Sequence, residues 1–172
     1  MKLNLDSFVT LYAEQIADLL SAERQLVRAL PKAISAAGSP ELKQTLSSHL
    51  AQTNGHVTRL EQIIRGLDTR PPTQICEAME GLIQETAEVI DAEGDADVKD
   101  AALIAAAQRI EHYEIAGYGC ARTFAMKMGR EEDARLLQAT LDEERLADQR
   151  LTRIAEGSVN DRAARHSPEA SV

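Results

Sequence analysis

The sequence predicts an all-α fold, a four-helix bundle with an additional helix connecting its second and third members. Three observations point there. Ala, Leu, Glu, Gln and Arg dominate a chain with 3% aromatic residues and no Trp, whereas strands draw on aromatic and β-branched residues. Apolar residues recur at spacings of three and four, the period of a helix with one buried face. These stripes break about every 25–30 residues at stop signals, which favours a bundle over a long coiled coil.

The first helix is predicted over residues 5–36. Leu5, Phe8, Tyr12, Ile16, Leu19, Leu26 and Leu30 share one face. Pro31 sits inside this pattern and must kink the helix or end it early; Gly38 marks the stop. The second helix opens with Ser39 as its cap, Pro40 at the first position and Glu41 against the positive end of the dipole. Its stripe is Leu42, Leu46, His49, Thr53, Val57, Leu60 and Ile64, and Gly66 with the Pro71-Pro72 pair ends it. A short connecting helix is predicted over 73–93, with Ile75, Met79, Leu82, Ile83, Val89 and Ile90 apolar. The run Glu93-Gly94-Asp95-Ala96-Asp97 then breaks the pattern. The third long helix, 97–128, carries Val98, Leu103, Ile104, Ile110, Ile115 and Tyr118 and stops at Gly129. The fourth, 131–156, uses Leu136, Leu137, Leu141, Leu151 and Ile154. Periodicity is lost after Gly157, so 1–157 is predicted as the bundle domain and 158–172 as a flexible polar tail. The long helices therefore form two hairpins joined through the short one, the layout of bundles with a crossover.

A chain of 172 residues with 44% hydrophobic content is large enough for one domain with a real core. Its net charge of −9 and pI near 5.0 leave no basic face, which argues against nucleic acid as a partner. No apolar run is long enough to span a bilayer, and Met1-Lys2-Leu3-Asn4-Leu5-Asp6 lacks the apolar stretch of a signal peptide. A cytoplasmic protein without membrane association is expected. Cys76 and Cys120 do not make a disulfide framework and are expected as free, buried thiols.

Several carboxylates fall where apolar residues belong. Glu23 lies on the stripe of Leu19, Leu26 and Leu30, and Glu111 on the face of Ile104, Ala107, Ile115 and Tyr118, with Glu114 on the next rung. Glu144 sits among Leu137, Leu141 and Leu151, and Asp148 is one turn on. A buried, unpaired carboxylate costs several kcal/mol, so each needs a partner or a proton. The two hairpins also align: Glu23 matches Glu111 at an offset of 88, and Leu60 matches Leu151 at an offset of 91. On that register Thr53 matches Glu144, and His56 matches Ala147. Pseudo-repeat bundles of this kind carry Glu on one helix and Glu-x-x-His on the next, twice, around two metal ions. Here the half-sites are incomplete: Glu23 with Thr53-x-x-His56, then Glu111 and Glu114 with Glu144 and Asp148. The metal ligands predicted are Glu23, His56, Glu111, Glu114, Glu144 and Asp148. Such donors suit Mn, or Fe where imidazole joins, and about four carboxylates neutralise two divalent ions. Two iron ions are expected, with manganese the alternative. His49 shares the face of His56 but lies outside the Glu-x-x-His slot; His112 points about 100° from Glu111. Tyr12 and Tyr118 serve packing, Tyr118 with a hydroxyl in reach of a ligand carboxylate. Glu80 and Glu85 are expected to neutralise helix ends or pair with arginines.

Particular segments resemble a known family. They are Ser21-Ala22-Glu23-Arg24-Gln25-Leu26, His49-Leu50-Ala51-Gln52-Thr53, Ala78-Met79-Glu80-Gly81-Leu82-Ile83, the run 100–116 with Glu111-His112-Tyr113-Glu114-Ile115-Ala116, and Thr140-Leu141-Asp142-Glu143-Glu144. Across residues 8–156 the chain resembles the YciE/YciF-like family of bacterial stress-associated, ferritin-like proteins. The resemblance implies a ferritin-like bundle with a fifth connecting helix, a homodimer, and a diiron-type site without an assigned reaction. It carries Glu23, Glu111, Glu114 and Glu144 onto the acidic positions of that site and Asp148 onto a further one. The family tends to have a glutamate just before the helix-two threonine, where this chain has Gln52. Gln brings no charge, so the site is expected to be weaker, asymmetric or mononuclear unless His56 compensates. The function expected is that of a stress-associated protein with a carboxylate-bridged Fe or Mn centre open to peroxide or dioxygen. The alternative is a non-enzymatic dimer with a vestigial site, acting through protein partners; an iron-storage cage ranks below both.

Overall fold

The computed structural model describes residues 6–67 and 75–166. Among them every regular element is helical: α1 (Phe8–Ala36), α2 (Pro40–Arg65), α3 (Glu77–Asp91), α4 (Ala96–Lys127), α5 (Glu131–Ile154), a π-helical turn (Ala155–Val159) and α6 (Asn160–Ala164). Local chemistry sets the boundaries. Ser7 accepts from the Thr10 amide, Ser39 from Leu42, and Asp95 from Asp97 and Val98, each satisfying donors that a helix start leaves free. Gly129, at φ 69, terminates α4 in the left-handed region where an L side chain is strained.

Pro31 does not end α1. It lies on the exposed face, where a carbonyl that loses its amide partner can be solvated rather than left unsatisfied. The expected start at Leu5, the Pro71-Pro72 stop and the start of the connecting helix at 73 lie outside the described residues; α3 is described from Glu77. Helical backbone continues past Gly157, where the sequence periodicity ends. Val159 is fully buried in the core, and Arg162 pairs with Asp97 at 2.7 Å. A single buried side chain and contacts of Arg162 and His166 to the Asp95–Asp97 turn leave no periodic trace. Residues 167–172 lie outside the described residues.

The helices α1 and α2 form one hairpin and α4 and α5 the other; α2 packs on α5 and α1 on α4, while α3 lies across α1 and α4. Asp100 of α4 ties the first hairpin's turn to the second hairpin. Its buried carboxylate accepts from the amides of Gly38 and Ser39, both at 2.7 Å. Near mid-bundle α1 and α4 approach closely, since a Cβ on Gly117 would sit 2.9 Å from Leu19 Cδ2.

The core is two apolar clusters. One holds Leu26, Leu30, Leu46, Leu103, Ile110 and Leu151. The other holds Tyr12, Ile16, Leu19, Leu60, Tyr118 and Leu141. Glu23, His49, His56, Glu111, Glu114 and Glu144 occupy the sequence positions between them, all buried. Cys76 is buried as expected, but Cys120 is exposed on α4. Its neighbours Tyr118 and Ala121 take the inward positions instead.

Candidate metal centre

Each long helix brings polar side chains to the layer between the two clusters. On α1, Glu23 falls between Leu19 and Leu26; on α2, His49 and His56 fall between Leu46 and Leu60. On α4, Glu111 and Glu114 fall between Ile110 and Tyr118, and on α5, Glu144 follows Leu141 by one turn. Buried apolar residues bracket every one of them. Rotating a helix to release its carboxylate would expose those neighbours, at about 1.5–3 kcal/mol for each large side chain.

Two donor groups result. His49, Glu111, Glu114 and Glu144 each present a ligand atom within 4.8 Å of the others, and so do Glu23, His56 and Glu144. Glu144 belongs to both. His49 Nε2 lies 3.3 Å from Glu111 Oε1, and its Nδ1 lies 3.9 Å from Glu144 Oε2. His56 Nδ1 lies 2.9 Å from Glu144 Oε1 and 3.2 Å from Glu23 Oε1, close but not aligned as hydrogen bonds. Outside the groups, Tyr118 donates its hydroxyl proton to Glu23 Oε1. His56 Nε2 meets Glu143 Oε2 at 2.8 Å, and Arg59 grips that carboxylate with two bonds of 2.7 and 2.9 Å while also donating to Thr140. With an Nε2 proton on Glu143, loss of the Nδ1 proton to an incoming ion would leave a lone pair aimed at the donor group, the outer-shell arrangement that fixes a ligand histidine.

Burial and the mutual proximity of the carboxylates dominate the electrostatics of this layer. Burial pushes Glu111 and Glu114 well above the usual carboxylate range, and the neighbouring carboxylates push the same way. Burial also raises Glu23, against the pull of His56. Burial lowers His49, keeping it in the neutral form that binds metals. At His56 burial acts downward too, but Glu144 and Glu23 overcome it and hold the imidazole at about 10. Burial would raise Glu144, yet His56, helped by His49 and Glu111, outweighs it and the net direction is down. Arg59 holds Glu143 below its ordinary value.

Many buried atoms here lack a hydrogen-bond partner: both oxygens of Glu114 and Glu144, one of Glu23 and one of Glu111, both nitrogens of His49, and Nδ1 of His56. Native interiors leave few such atoms, and each demands a reason. Carboxylate oxygens with two imidazoles match first-row divalent ions. Four carboxylates balance two of them, so the residues present fit a two-ion centre without net charge in the core.

Of the six ligands predicted, the structure brings Glu23, His56, Glu111, Glu114 and Glu144 together. Asp148 stands apart, half-buried, accepting from Gln108 at 2.9 Å and lying 3.4 Å from the exposed His112. Thr53, in the Glu-x-x-His slot, turns its hydroxyl back to the His49 carbonyl at 2.9 Å. His49 joins the site although it lies outside that slot; its signal was the seven-residue spacing to His56, two turns on one face. Glu143 and Arg59 carried no signal, because Glu143 is off the apolar stripe and only packing of α2 on α5 brings it to His56.

The family described as "Domain of unknown function (DUF892)" matches residues 7–164. Protein YciF of Escherichia coli (strain K12) is 41% identical over 162 residues, spanning 94% of this chain and 98% of that protein. The crystal structure of the E. coli stress protein YciF superposes with a TM-score of 0.87, covering 91% of this chain and 99% of that one. Ferritin-like, diiron-carboxylate proteins from Bacillus anthracis str. Ames share the fold at a TM-score of 0.67 and 18% identity, over 87% of this chain and 99% of theirs. The fold is therefore ferritin-like, with α3 as the connecting helix. With that fold, that identity and a match over nearly its whole length, the chain belongs to the DUF892 family, as the resemblance in its acidic motifs implied.

Proposed function

We propose that this chain would hold two metal ions, with Glu144 a donor common to both ligand groups, and serves as a stress-associated protein whose centre would react with peroxide or dioxygen. The observation that carries the reading is that two donor groups share Glu144. One ion would be held by His49, Glu111, Glu114 and Glu144, the other by Glu23, His56 and Glu144. Iron is the first choice, because imidazole joins carboxylate in both groups; manganese is the alternative. The bound ions would supply Lewis acidity and one-electron redox chemistry. The chain's own residues do the rest. Tyr118 orients Glu23, the Glu143–Arg59 pair fixes the ring of His56, and the apolar clusters on either side exclude bulk water. Relatives support the context: E. coli YciF is described as a stress protein, and the B. anthracis neighbours as diiron-carboxylate proteins. A homodimer in the cytoplasm completes the proposal; among the described residues no helix is long and apolar enough to cross a membrane.

Elemental analysis of protein purified without chelator, with an anomalous-scattering map, tests this. Two ions per chain are expected. Glu144→Ala should lose both, while His49→Ala and His56→Ala should each weaken mainly its own ion. No bound Fe or Mn, together with melting unaffected by adding either, refutes it. Gln52, half-buried on α2 at the position where the family resemblance implies a glutamate, favours a second reading in which the site is vestigial and the protein acts through partners. That reading requires folded Glu23→Ala/Glu144→Ala protein to retain the cellular phenotype.

A further inference from the structure

A cavity of about 300 Å³ lies between α1 and α3 and reaches in to α2 and α4. Its volume is at the lower end for small-molecule sites. Along α1 it runs from Gln25 to Ala33, about 12 Å at the helical rise. The interior is aliphatic: Leu26, Leu30, Leu46, Ile83, Leu103 and Ile110. Its two neutral polar side chains are engaged elsewhere, Gln25 donating to the Cys76 carbonyl and Thr86 to the Leu82 carbonyl. With these donors committed, a polar group placed among the aliphatic side chains would lose hydration that they cannot replace.

The mouth differs. The exposed lining residues are Arg28, Lys32 and Glu80. Arg28 and Lys32 are one turn apart on α1, and neither has an ion-pair partner among the described residues, unlike Arg24 one turn earlier, which pairs with Glu61 at 2.8 Å. Two unpaired cations above an aliphatic chamber, in a chain of net charge −9, form an amphipathic receptor. We propose that this cavity binds a medium-chain aliphatic carboxylate, its tail along α1 and its head group between Arg28 and Lys32. The proposal is independent of the metal centre.

The test is equilibrium dialysis of full-length protein with labelled decanoate, on chelator-treated and metal-loaded samples. Saturable binding of one decanoate per chain is expected in both, so failure of the metal reading leaves this one standing. Decanol should bind more weakly. Arg28→Glu with Lys32→Glu should weaken decanoate roughly tenfold, the sum of two exposed charge contacts. Ala87→Phe, which fills the chamber, should abolish binding, and circular dichroism reports whether each variant is folded. Equal affinity for decanol and decanoate, undiminished binding by folded Ala87→Phe, or no binding at all overturns the proposal. So does binding to anionic phospholipid vesicles without binding of free decanoate, which would make the rim a membrane contact.

Discussion

Replacing Glu114 with leucine separates the carboxylate layer's contribution to folding from its contribution to metal binding. Glu114 is fully buried, and neither carboxyl oxygen has a hydrogen-bond partner. Burial and the charges of Glu23, Glu144 and Glu111 all disfavour its ionised form. Without metal it is a polar group carried at a loss, and an apolar replacement removes an unsatisfied-group penalty of about 1–3 kcal/mol. At about 2–4 °C per kcal/mol for a chain of this size, the metal-free variant should melt several degrees above the parent. With metal the sign reverses. The variant lacks one donor of the His49 group, and an ion at a hundred times its dissociation constant stabilises the native state by about 2.7 kcal/mol. The share of the rise on adding Fe(II) or Mn(II) that belongs to this ion, about half of it, should therefore vanish, while the share of the Glu23–His56 ion stays. Calorimetry of both proteins, with chelator and with metal, reads both effects. A metal-free variant that melts lower, yet keeps the parent's full metal-induced rise, refutes the reasoning.

The metal-free protein should lose stability from about pH 7 to about pH 10. The raised carboxyls of Glu111 and Glu114 stabilise below the unfolded value of about 4.3 and lose that contribution as pH rises towards their folded values. His56, held at about 10, contributes fully below about 6.5 and loses its share as pH rises through 10. The opposing terms of His49 and Glu144 act only below about 6.5; a melting temperature that climbs across the range contradicts the assignment. Asp100→Ala should cost roughly 2–4 kcal/mol in denaturant titrations, because the amides of Gly38 and Ser39 lose a charged acceptor, with metal content unchanged. Gly117→Val should destabilise by about 1–3 kcal/mol, since its Cβ would meet Leu19 at 2.9 Å. By parting α1 from α4 it should also reduce the metal-induced rise in melting temperature; a neutral effect would mean that the contact yields.

The helices were legible because their signals are local. Apolar stripes, Ser39-Pro40 and Gly129 act within one or two turns, and α2 and α4 begin and end within a residue or two of the expectation. Burial of Glu23, Glu111, Glu114 and Glu144 was legible for the same reason, since a carboxylate bracketed by leucines on one face has nowhere else to go. What only the tertiary structure decided is convergence. Whether His49 or Asp148 reaches the centre depends on the rotation and rise of α2 and α5 against partners far away in sequence, and an error of a residue in register moves a side chain by about 100°. The same holds for Glu143 meeting His56 and for the burial of Val159 beyond the last periodic residue. Period alone says which face of each helix is inward; only packing says which inward groups meet.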